Sequence, residues 1–324
     1  MNSSHVIILM ATYNGAKYLE AQLSSIKNQT MTAWSLLIRD DGSTDNTLDI
    51  IAAEIAKDPR IRLIEDSGAS RVGAAENFGH LMEAALGHSA AQIFFFCDQD
   101  DVWENCKLER LMAQFPQGGC ENFPLLVHSD LSVVDECLDE VHSSLFQYMA
   151  LDTESEKPLN SLLTRNFVTG AAMACNRLLL EQSGPIPPAA IMHDWWLALV
   201  AAAAGEIRCL AEPLVKYRQH GLNTIGATGF WHLLSPRRNW LQVWQIGNAE
   251  FRATFEQARA LSERARISRG WEVRQVNLID MYLGLPKLPP VERLRRARTL
   301  KLRQGGLLIQ CIYYFRLLYY PASE

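Results

Sequence analysis

The chain has 324 residues, which is enough to bury one large domain or two smaller ones. Hydrophobic residues make up 48% of it and charged residues 21%, which is the composition of an ordinary globular protein. The formal net charge of −5 at pH 7 argues against a protein that binds nucleic acid.

Cysteine usage and hydropathy favour a reduced, cytoplasmic setting. The 7 cysteines are scattered without a CxxC pair, which is typical of free thiols and not of a disulfide framework. The first residues, MNSSH, lack the basic start of a signal peptide. No stretch has the ~18 apolar residues that a membrane-spanning helix needs. We therefore expect a cytoplasmic location.

The N-terminal part of the chain alternates between strand-like and helix-like segments. Short apolar runs predict strands at residues 6–10, 34–38, 61–64 and 93–97. Apolar residues at helical spacing predict helices at residues 16–27, 48–55 and 77–86, with Ser43 or Thr44 as N-cap of the second. Such repeated units predict an α/β fold with a mainly parallel sheet flanked by helices.

The rest of the chain is less regular and ends in helices. Strands are predicted at residues 125–134, 167–175, 207–210 and 214–217, a loop at 142–161 and a helix at 194–204. Beyond about residue 228 only helices are predicted, at 230–264 and 271–283, before a proline-rich break. We therefore divide the chain into an α/β domain at residues 1–227 and a C-terminal helical region at 228–324.

Three polar strings follow predicted strands. ATYNG comes after the first strand, RDDGSTD after the second and CDQDD after the fourth. In α/β sheets, ligands bind outside the carboxyl ends of the parallel strands. The three strings therefore predict one binding site at that edge of the sheet.

The string of Asp98, Gln99, Asp100 and Asp101 carries the strongest chemical signal. Carboxylate oxygens are ligands for hard divalent cations such as Mg²⁺ or Mn²⁺. Mg²⁺ usually takes one or two carboxylates and completes its shell with water and substrate phosphates. The string therefore predicts a metal shared with a diphosphate. The alternative is a solvated acidic turn that caps the next helix.

Several other polar residues allow two interpretations each. Asp41 follows the second strand, where it would contact a nucleoside or form a turn. Tyr13 would stack on a base or close a turn. Asp194 would cap the helix that follows it or act as a general base. His220 would ligate a metal or contact a phosphate, or do neither.

Two common nucleotide-binding motifs are absent, which narrows the ways in which the protein would bind a nucleotide. Neither GxxxxGK[ST] nor GxGxxG occurs, so a P-loop and a dinucleotide site are both unsupported. A bound nucleotide would have to be held through a metal and aspartates instead. Trp195 and Trp196 would either lie in the core or offer a stacking face to a sugar.

The motifs together resemble a known family. The strings ATYNG, IRDDGSTDNT, NFGHLM, FFFCDQDDVW, NFVTGAAMACNR, HDWWLALVAAAAG and EPLVKYRQHGLNTIG occur in this order between residues 6 and 226. They resemble the family-2 inverting glycosyltransferases of the GT-A (Rossmann-like) fold. The similarity is greatest to rhamnosyltransferase-like bacterial members that build surface polysaccharides such as O-antigen or capsule.

The resemblance implies a role for each candidate residue. Around the donor nucleotide it implies Thr12, Tyr13, Asp41, Arg71, Asp98 and Asp101, with Asp98 towards the ribose and Asp101 supporting its loop. As the DxD metal ligand for Mg²⁺ or Mn²⁺ it implies Asp100, and we add His220. It implies Asp194 as catalytic base and Gly170 on the acceptor side, where we also place Trp195 and Trp196.

The same resemblance leaves alternatives of function open. The QxxRW string and membrane spans of processive synthases are absent, so we expect one sugar per encounter, moved from a nucleotide-sugar, with dTDP-rhamnose as family-level donor. The first alternative is a sugar-1-phosphate nucleotidyltransferase, although ATYNG is not the glycine-rich, basic loop of those enzymes. The second is a sugar-nucleotide-binding protein without catalysis.

The C-terminal tail allows two interpretations. Seven basic residues and one acidic residue lie between Lys287 and Arg303, and the apolar, aromatic string GLLIQCIYYFRLLYY follows. This combination suits peripheral attachment at the inner face of the cell membrane, where lipid-linked acceptors occur. The alternative is a helix packed on the α/β domain or in a homo-oligomer interface.

Overall fold

The computed structural model describes residues 5–64, 71–88, 91–116, 122–153, 156–221, 240–268 and 270–320. In these residues one mixed sheet holds nine strands. The strands are β1 (Val6–Thr12), β2 (Trp34–Asp40), β3 (Ile61–Leu63), β4 (Ile93–Cys97), β5 (Val102–Trp103), β6 (Leu125–Val134), β7 (Glu140–His142), β8 (Met173–Asn176) and β9 (Glu206–Arg218). Their order is β3-β2-β1-β4-β8-β6-β9-β5, with β7 paired to β6.

The N-terminal half of the sheet is parallel. Strand β1 pairs in parallel with both β2 and β4, and β2 pairs in parallel with β3. Strand β8 is antiparallel to both β4 and β6, so the sheet becomes mixed from there on. Because β1, β2 and β4 run in one direction, their carboxyl ends lie at one edge, as the sequence predicts.

Twelve α-helices flank the sheet in the part of the chain that the structure describes. They are α1 (Ala16–Lys27), α2 (Thr47–Ile55), α3 (Ala74–His88), α4 (Lys107–Met112), α5 (Leu145–Tyr148), α6 (Pro158–Leu162), α7 (Arg177–Ser183), α8 (His193–Ala204), α9 (Trp240–Ile267), α10 (Val273–Leu283), α11 (Pro290–Thr299) and α12 (Leu307–Tyr319). Short 3-10 helices occupy Gly170–Ala172 and Leu285–Lys287.

The two faces of the sheet bury separate cores. Side chains alternate along a strand, so Val6, Ile8 and Met10 of β1 pack with α1 on one face. Ile7 and Leu9 point to the other face, where α3 and α8 cover them. That second core also contains residues of α9, α10 and α12. The predicted boundary at residues 227 and 228 lies outside the described residues.

Several predicted elements differ in detail. The strands predicted at residues 207–210 and 214–217 are one strand, β9, because register shifts opposite Ser129 and Asp130 accommodate the interruption that contains Pro213. Of the strand predicted at 167–175 only the end is extended, and Gly170–Ala172 forms a 3-10 turn. The predicted loop at 142–161 contains α5 and most of α6. The proline-rich break ends where α11 begins, at Pro290.

The predicted cap of α2 is wrong. Asn46 is the N-cap and makes no side-chain capping bond. Ser43 instead donates from Oγ to Oδ1 of Asp40, at 2.6 Å, and so stabilises the turn after β2. Residues 230–239 of the long predicted helix lie outside the described residues, and α9 is described from Trp240.

The segment after α11 is hydrogen-bonded to α6 and to the residues that follow α6. The backbone carbonyl of Leu300 accepts from Asn160, that of Arg303 accepts from Thr164 at 2.7 Å, and that of Gln304 accepts from Arg165 at 2.6 Å. Gln304 returns a hydrogen bond of 2.9 Å to the carbonyl of Thr164. Within the described ranges no helix is both long and apolar enough to cross a membrane.

Candidate active site

The loops after β1 and β4 are joined by one amide side chain. Gln99 accepts from the backbone N–H of Tyr13 at 2.9 Å and donates to its carbonyl at 2.9 Å. A Cβ on Gly15 would lie 2.1 Å from Oε1 of Gln99, so a larger residue there would displace the amide from its two hydrogen bonds. The sequence gives Gln99 no individual signal, because its partner lies 86 positions away.

The predicted base-binding residues lie at the ends of β1 and β2. Thr12 is buried, and its hydroxyl donates to Oδ1 of Asp40 at 2.9 Å. The guanidinium of Arg71 lies 3.9 Å from the centre of the Tyr13 ring, so these two predicted donor contacts are neighbours. Because the guanidinium covers one face of the ring, a nucleobase would stack on the opposite face.

Asp41 holds the loop that leads into α3. Its two carboxylate oxygens accept from the backbone N–H groups of Val72, at 2.9 Å, and Gly73, at 2.8 Å. The side chain of Arg39 approaches the same carboxylate at 3.5 Å and also donates to Asn77 at 3.0 Å. Asp41 therefore shapes the loop that carries Arg71, whereas its predicted contact with the base stays a prediction.

The three aspartates after β4 occupy different environments. Asp101 is fully buried, and its Oδ1 accepts from the backbone N–H of Arg218 at 3.0 Å. Its Oδ2 has no hydrogen-bond partner among the described residues. Oδ2 of Asp100 lies 2.8 Å from Nε2 of His220. Burial, together with the charges of Asp100 and Asp194, raises the pKa of Asp98 to about 7.

Arg218 closes this loop from the end of β9. It donates to the carbonyl of Asp100 at 2.8 Å and to that of Glu136 at 2.6 Å. Burial and the neighbouring aspartates also raise the pKa of Asp101 well above its usual range. The pKa of Tyr217 is raised as well. The causes are burial and the charges of four aspartates, Asp98, Asp100, Asp101 and Asp194. These carboxylates therefore share one confined space at the edge of the sheet.

The donor atoms at this point fit a divalent cation. The carboxylate of Asp100 and the imidazole of His220 converge, and their side chains are only 17% and 6% exposed. No cluster of three metal-ligating side chains exists in the ranges that the structure describes. Two protein ligands suffice for Mg²⁺ or Mn²⁺ when water and diphosphate oxygens complete the shell. The excess of buried negative charge would also be relieved by a cation.

A buried lysine lies behind the aspartates. Lys107 is fully buried, and its Nζ donates to the carbonyl of Ala171 at 2.5 Å and lies 3.4 Å from the centre of the Trp103 ring. Burial lowers the pKa of Lys107 to about 7, while Asp98 and Asp101 oppose that change. The sequence pattern does not single out Lys107. A charged residue directly before the buried Leu108 in α4 is nevertheless unusual.

Asp194 lies in the first turn of α8 and is surrounded by donors. Its Oδ2 accepts from the backbone N–H of Gly170 at 2.9 Å, and its Oδ1 accepts from Asn166 at 3.1 Å. Burial nevertheless raises the pKa of Asp194 to about 6. The N-cap of the helix is Met192, so the interpretation of Asp194 as a cap is wrong.

The residues predicted on the acceptor side lie in different environments. Gly170 touches Asp194, as described. Trp195 is half-buried and donates from its indole to the carbonyl of Leu162 at 2.7 Å. Trp196 is 1% exposed and lies in the core, where its indole donates to Ser183 at 3.2 Å. The acceptor role predicted for Trp196 is therefore wrong, because no face of its ring is accessible.

Comparison with known proteins finds similar glycosyltransferases. Residues 7–129 match the family model described as Glycosyl transferase family 2. An uncharacterised glycosyltransferase of Nostoc sp. is 28% identical over 67% of this chain and 66% of its own length. The dTDP-rhamnosyl transferase RfbG of Shigella flexneri is 28% identical over 67% of this chain and 74% of its own length.

A solved structure shares the fold. S. aureus TarS, crystallised in complex with UDP-GlcNAc, superposes with a TM-score of 0.56 at 14% identity, over 91% of this chain and 79% of that one. The chain spans just under two thirds, 66%, of the length of the Nostoc relative and of mycobacterial relatives. Residues 7–129 are therefore similar to glycosyl transferase family 2, and the chain shares the mixed α/β fold of GT-A glycosyltransferases.

Proposed function

We propose that the protein transfers one sugar from a nucleoside-diphosphate sugar to an acceptor hydroxyl, with inversion at the anomeric carbon. The observation that carries this proposal is the position of Asp194. Its carboxylate is partly buried, held by Gly170 and Asn166, and close enough to Asp98 to raise the pKa of that carboxyl. A base thus stands beside the carboxylates where a diphosphate would lie.

Asp194 is the proposed general base. Its raised pKa, about 6, makes the ionised carboxylate a better proton acceptor than an ordinary aspartate. It takes the proton of the acceptor hydroxyl while that oxygen attacks the anomeric carbon. The bond from this carbon to the diphosphate oxygen breaks on the opposite face. One such displacement inverts the configuration.

Asp100 and His220 are the proposed ligands of Mg²⁺ or Mn²⁺. When bound, the metal would neutralise the charge that develops on the departing diphosphate. Asp98 is proposed to meet the ribose, and Thr12, Tyr13, Asp41 and Arg71 are proposed to surround the base. Asp101 is buried and bonded to Arg218, which supports its proposed role in holding the loop.

The donor and acceptor are proposed at the level of class. The relative RfbG is named a dTDP-rhamnosyl transferase, which supports dTDP-rhamnose as the donor. An E. coli relative, 34% identical over 34% of this chain, is named for a glucosyl transfer to a diphosphoundecaprenol-linked sugar. We therefore propose a saccharide or lipid-linked acceptor in surface polysaccharide synthesis, in the cytoplasm at the membrane.

The first experiment is a thermal-shift screen of nucleoside diphosphates and nucleotide-sugars, with and without Mn²⁺. We expect one nucleotide to raise the melting temperature, and to do so only when metal is present. The Asp100→Asn and His220→Ala variants should need more Mn²⁺ for the same shift. Lys57→Ala, on the surface beyond α2, is the matched control and should behave like the wild type.

The second experiment separates transfer from other functions. The wild type is incubated with the stabilising nucleotide-sugar and candidate acceptors, and the nucleoside diphosphate released is measured. Pyrophosphate formed from a nucleoside triphosphate and a sugar phosphate would instead identify a nucleotidyltransferase. Calorimetric binding without turnover on any acceptor would identify a binding protein.

A further inference from the structure

One face of helix α12 is largely exposed in the described structure, although the ring of Phe315 meets that of Trp244 in α9 with centroids 5.5 Å apart. Tyr313 and Leu317 are 1% exposed and belong to the core. On the opposite side, Leu307 is 84% exposed, Phe315 51% and Tyr319 67%. These three residues are separated by eight and four positions, so they lie along one stripe of the helix. An exposed apolar stripe of this size on a short helix marks a site of contact with another apolar surface.

Basic side chains of α11 border this stripe. Arg298 is exposed, and its guanidinium lies 5.5 Å from the ring centre of Tyr314 in α12. Arg295 is on the same exposed side of α11, with 75% of its side chain accessible, and its Nη1 lies 3.3 Å from the carboxylate of Glu292. Lys301, just after the helix, is exposed as well. The surface therefore combines apolar and aromatic groups with positive charge.

The same surface adjoins the acceptor side of the candidate active site. Residues 300–304, between α11 and α12, are hydrogen-bonded to residues 160–165. The next residue, Asn166, donates to the carboxylate of Asp194 at 3.1 Å. The tail is thus attached to the segment that positions the proposed base.

We propose that the α11–α12 face, defined by Arg295, Arg298, Leu307, Phe315 and Tyr319, docks on an anionic lipid bilayer. The arginines contact acidic headgroups, while the leucine and the aromatic rings enter the interface between headgroups and acyl chains. The use of this docking for a lipid-linked acceptor rests on the proposed function. A second copy of this chain would satisfy the apolar stripe but would face two sets of arginines against each other.

The test is co-sedimentation with vesicles. The full chain is mixed with vesicles of phosphatidylglycerol and phosphatidylcholine, or of phosphatidylcholine alone. We expect binding to the anionic vesicles that weakens with salt, and about tenfold weaker binding in each of the double variants Phe315→Ser/Tyr319→Ser and Arg295→Glu/Arg298→Glu. The matched controls, Val141→Ser with an exposed valine in β7 and Lys57→Glu, should bind like the wild type.

Three outcomes would overturn the proposal. They are absence of binding to anionic vesicles, equal binding to both kinds of vesicle, and unchanged binding in both double variants. A wild-type dimer in solution that both variants dissociate would show that the face joins two copies instead. Asp194→Asn should bind vesicles like the wild type while losing transfer, so docking and the proposed catalysis fail independently.

Discussion

The backbone N–H of Gly170 donates a hydrogen bond of 2.9 Å to Oδ2 of Asp194. This contact joins the 3-10 turn before β8 to the first turn of α8. A Cβ at position 170 would lie 2.8 Å from Nε2 of His193 and 3.5 Å from Oδ2 of Asp194. Because His193 is itself buried and stacked on Phe78 at 3.8 Å, it has little room to move.

Gly170→Ala should therefore displace Asp194 without removing it. We expect kcat to fall about 10- to 100-fold while the dissociation constant of the donor stays unchanged, because the donor contacts lie on other loops. Transfer kinetics and donor titrations measure the two quantities. Gly87→Ala is the control, since an added Cβ there meets nothing within 4 Å. An unchanged kcat in Gly170→Ala would contradict this role of the turn.

The rate should depend on pH through Asp194. Burial raises the pKa of its carboxyl to about 6, and only the ionised form can accept a proton. We expect kcat/KM to fall about tenfold per pH unit below pH 6 and to level off above it. Asn166→Ala removes a donor that favours the ionised form, so its acidic limb should move to higher pH. A limb centred near pH 4 would exclude Asp194 as a base of this kind.

Lys107→Met should weaken both the fold and the reaction. The substitution removes the donor to Ala171 and the positive charge closest behind Asp98 and Asp101. We expect the free energy of unfolding to fall by about 1–3 kcal/mol, since a buried carbonyl loses its partner. We also expect kcat to fall, because Ala171 adjoins Gly170. Denaturant unfolding and kinetics test this, with the exposed Lys57→Met as control; wild-type values for both would contradict it.

His128 should make the protein sensitive to acid. Burial lowers the pKa of this side chain to about 4, and its ring nitrogens lack partners within the described residues. Below about pH 6.5 the unfolded chain binds a proton there that the folded chain does not, so stability is lost as the pH falls towards 4.

His128→Leu should remove that loss. We expect its free energy of unfolding to exceed that of the wild type, by about 1–2 kcal/mol more at pH 5 than at pH 7.5. Urea unfolding at both pH values measures the difference. His80→Leu, at an exposed position of α3, should show no such dependence on pH. The same change in stability at both pH values would show that His128 titrates normally.

The sequence predicts the first four strands, the first three helices and the edge of the sheet where the site lies. These elements follow from short-range patterns, namely apolar runs, helical spacing and polar strings after strands. Gln99 and Lys107 escape such patterns, because their partners lie 86 and 64 positions away. Their roles arise from the contact between loops and not from local spacing.

Helix α8 shows a second limit of periodicity. The string HDWWLALVAAAA is apolar on nearly every side, so its spacing does not tell which tryptophan points inward. Packing decides it: Trp196 is buried against α7, and Trp195 reaches the end of α6. The sequence also does not reveal that β9 is one continuous strand. The bulge opposite Asp130 has a sequence that resembles a turn.

The hydrogen bonds between residues 300–304 and 160–165 connect the C-terminal tail to the segment that precedes Asn166. A chain cut after α11 would remove the hydrogen bonds of Thr164 and Arg165 to residues 303 and 304, leaving their bonds to Ser161 and Met149, and would loosen the segment that leads to Asn166. We therefore expect truncated proteins to lose turnover because Asp194 is less well positioned. This loss would occur whether or not the tail binds a membrane. Single substitutions on the outward side of α12 leave these hydrogen bonds intact, so they would separate the proposed membrane docking from the proposed transfer.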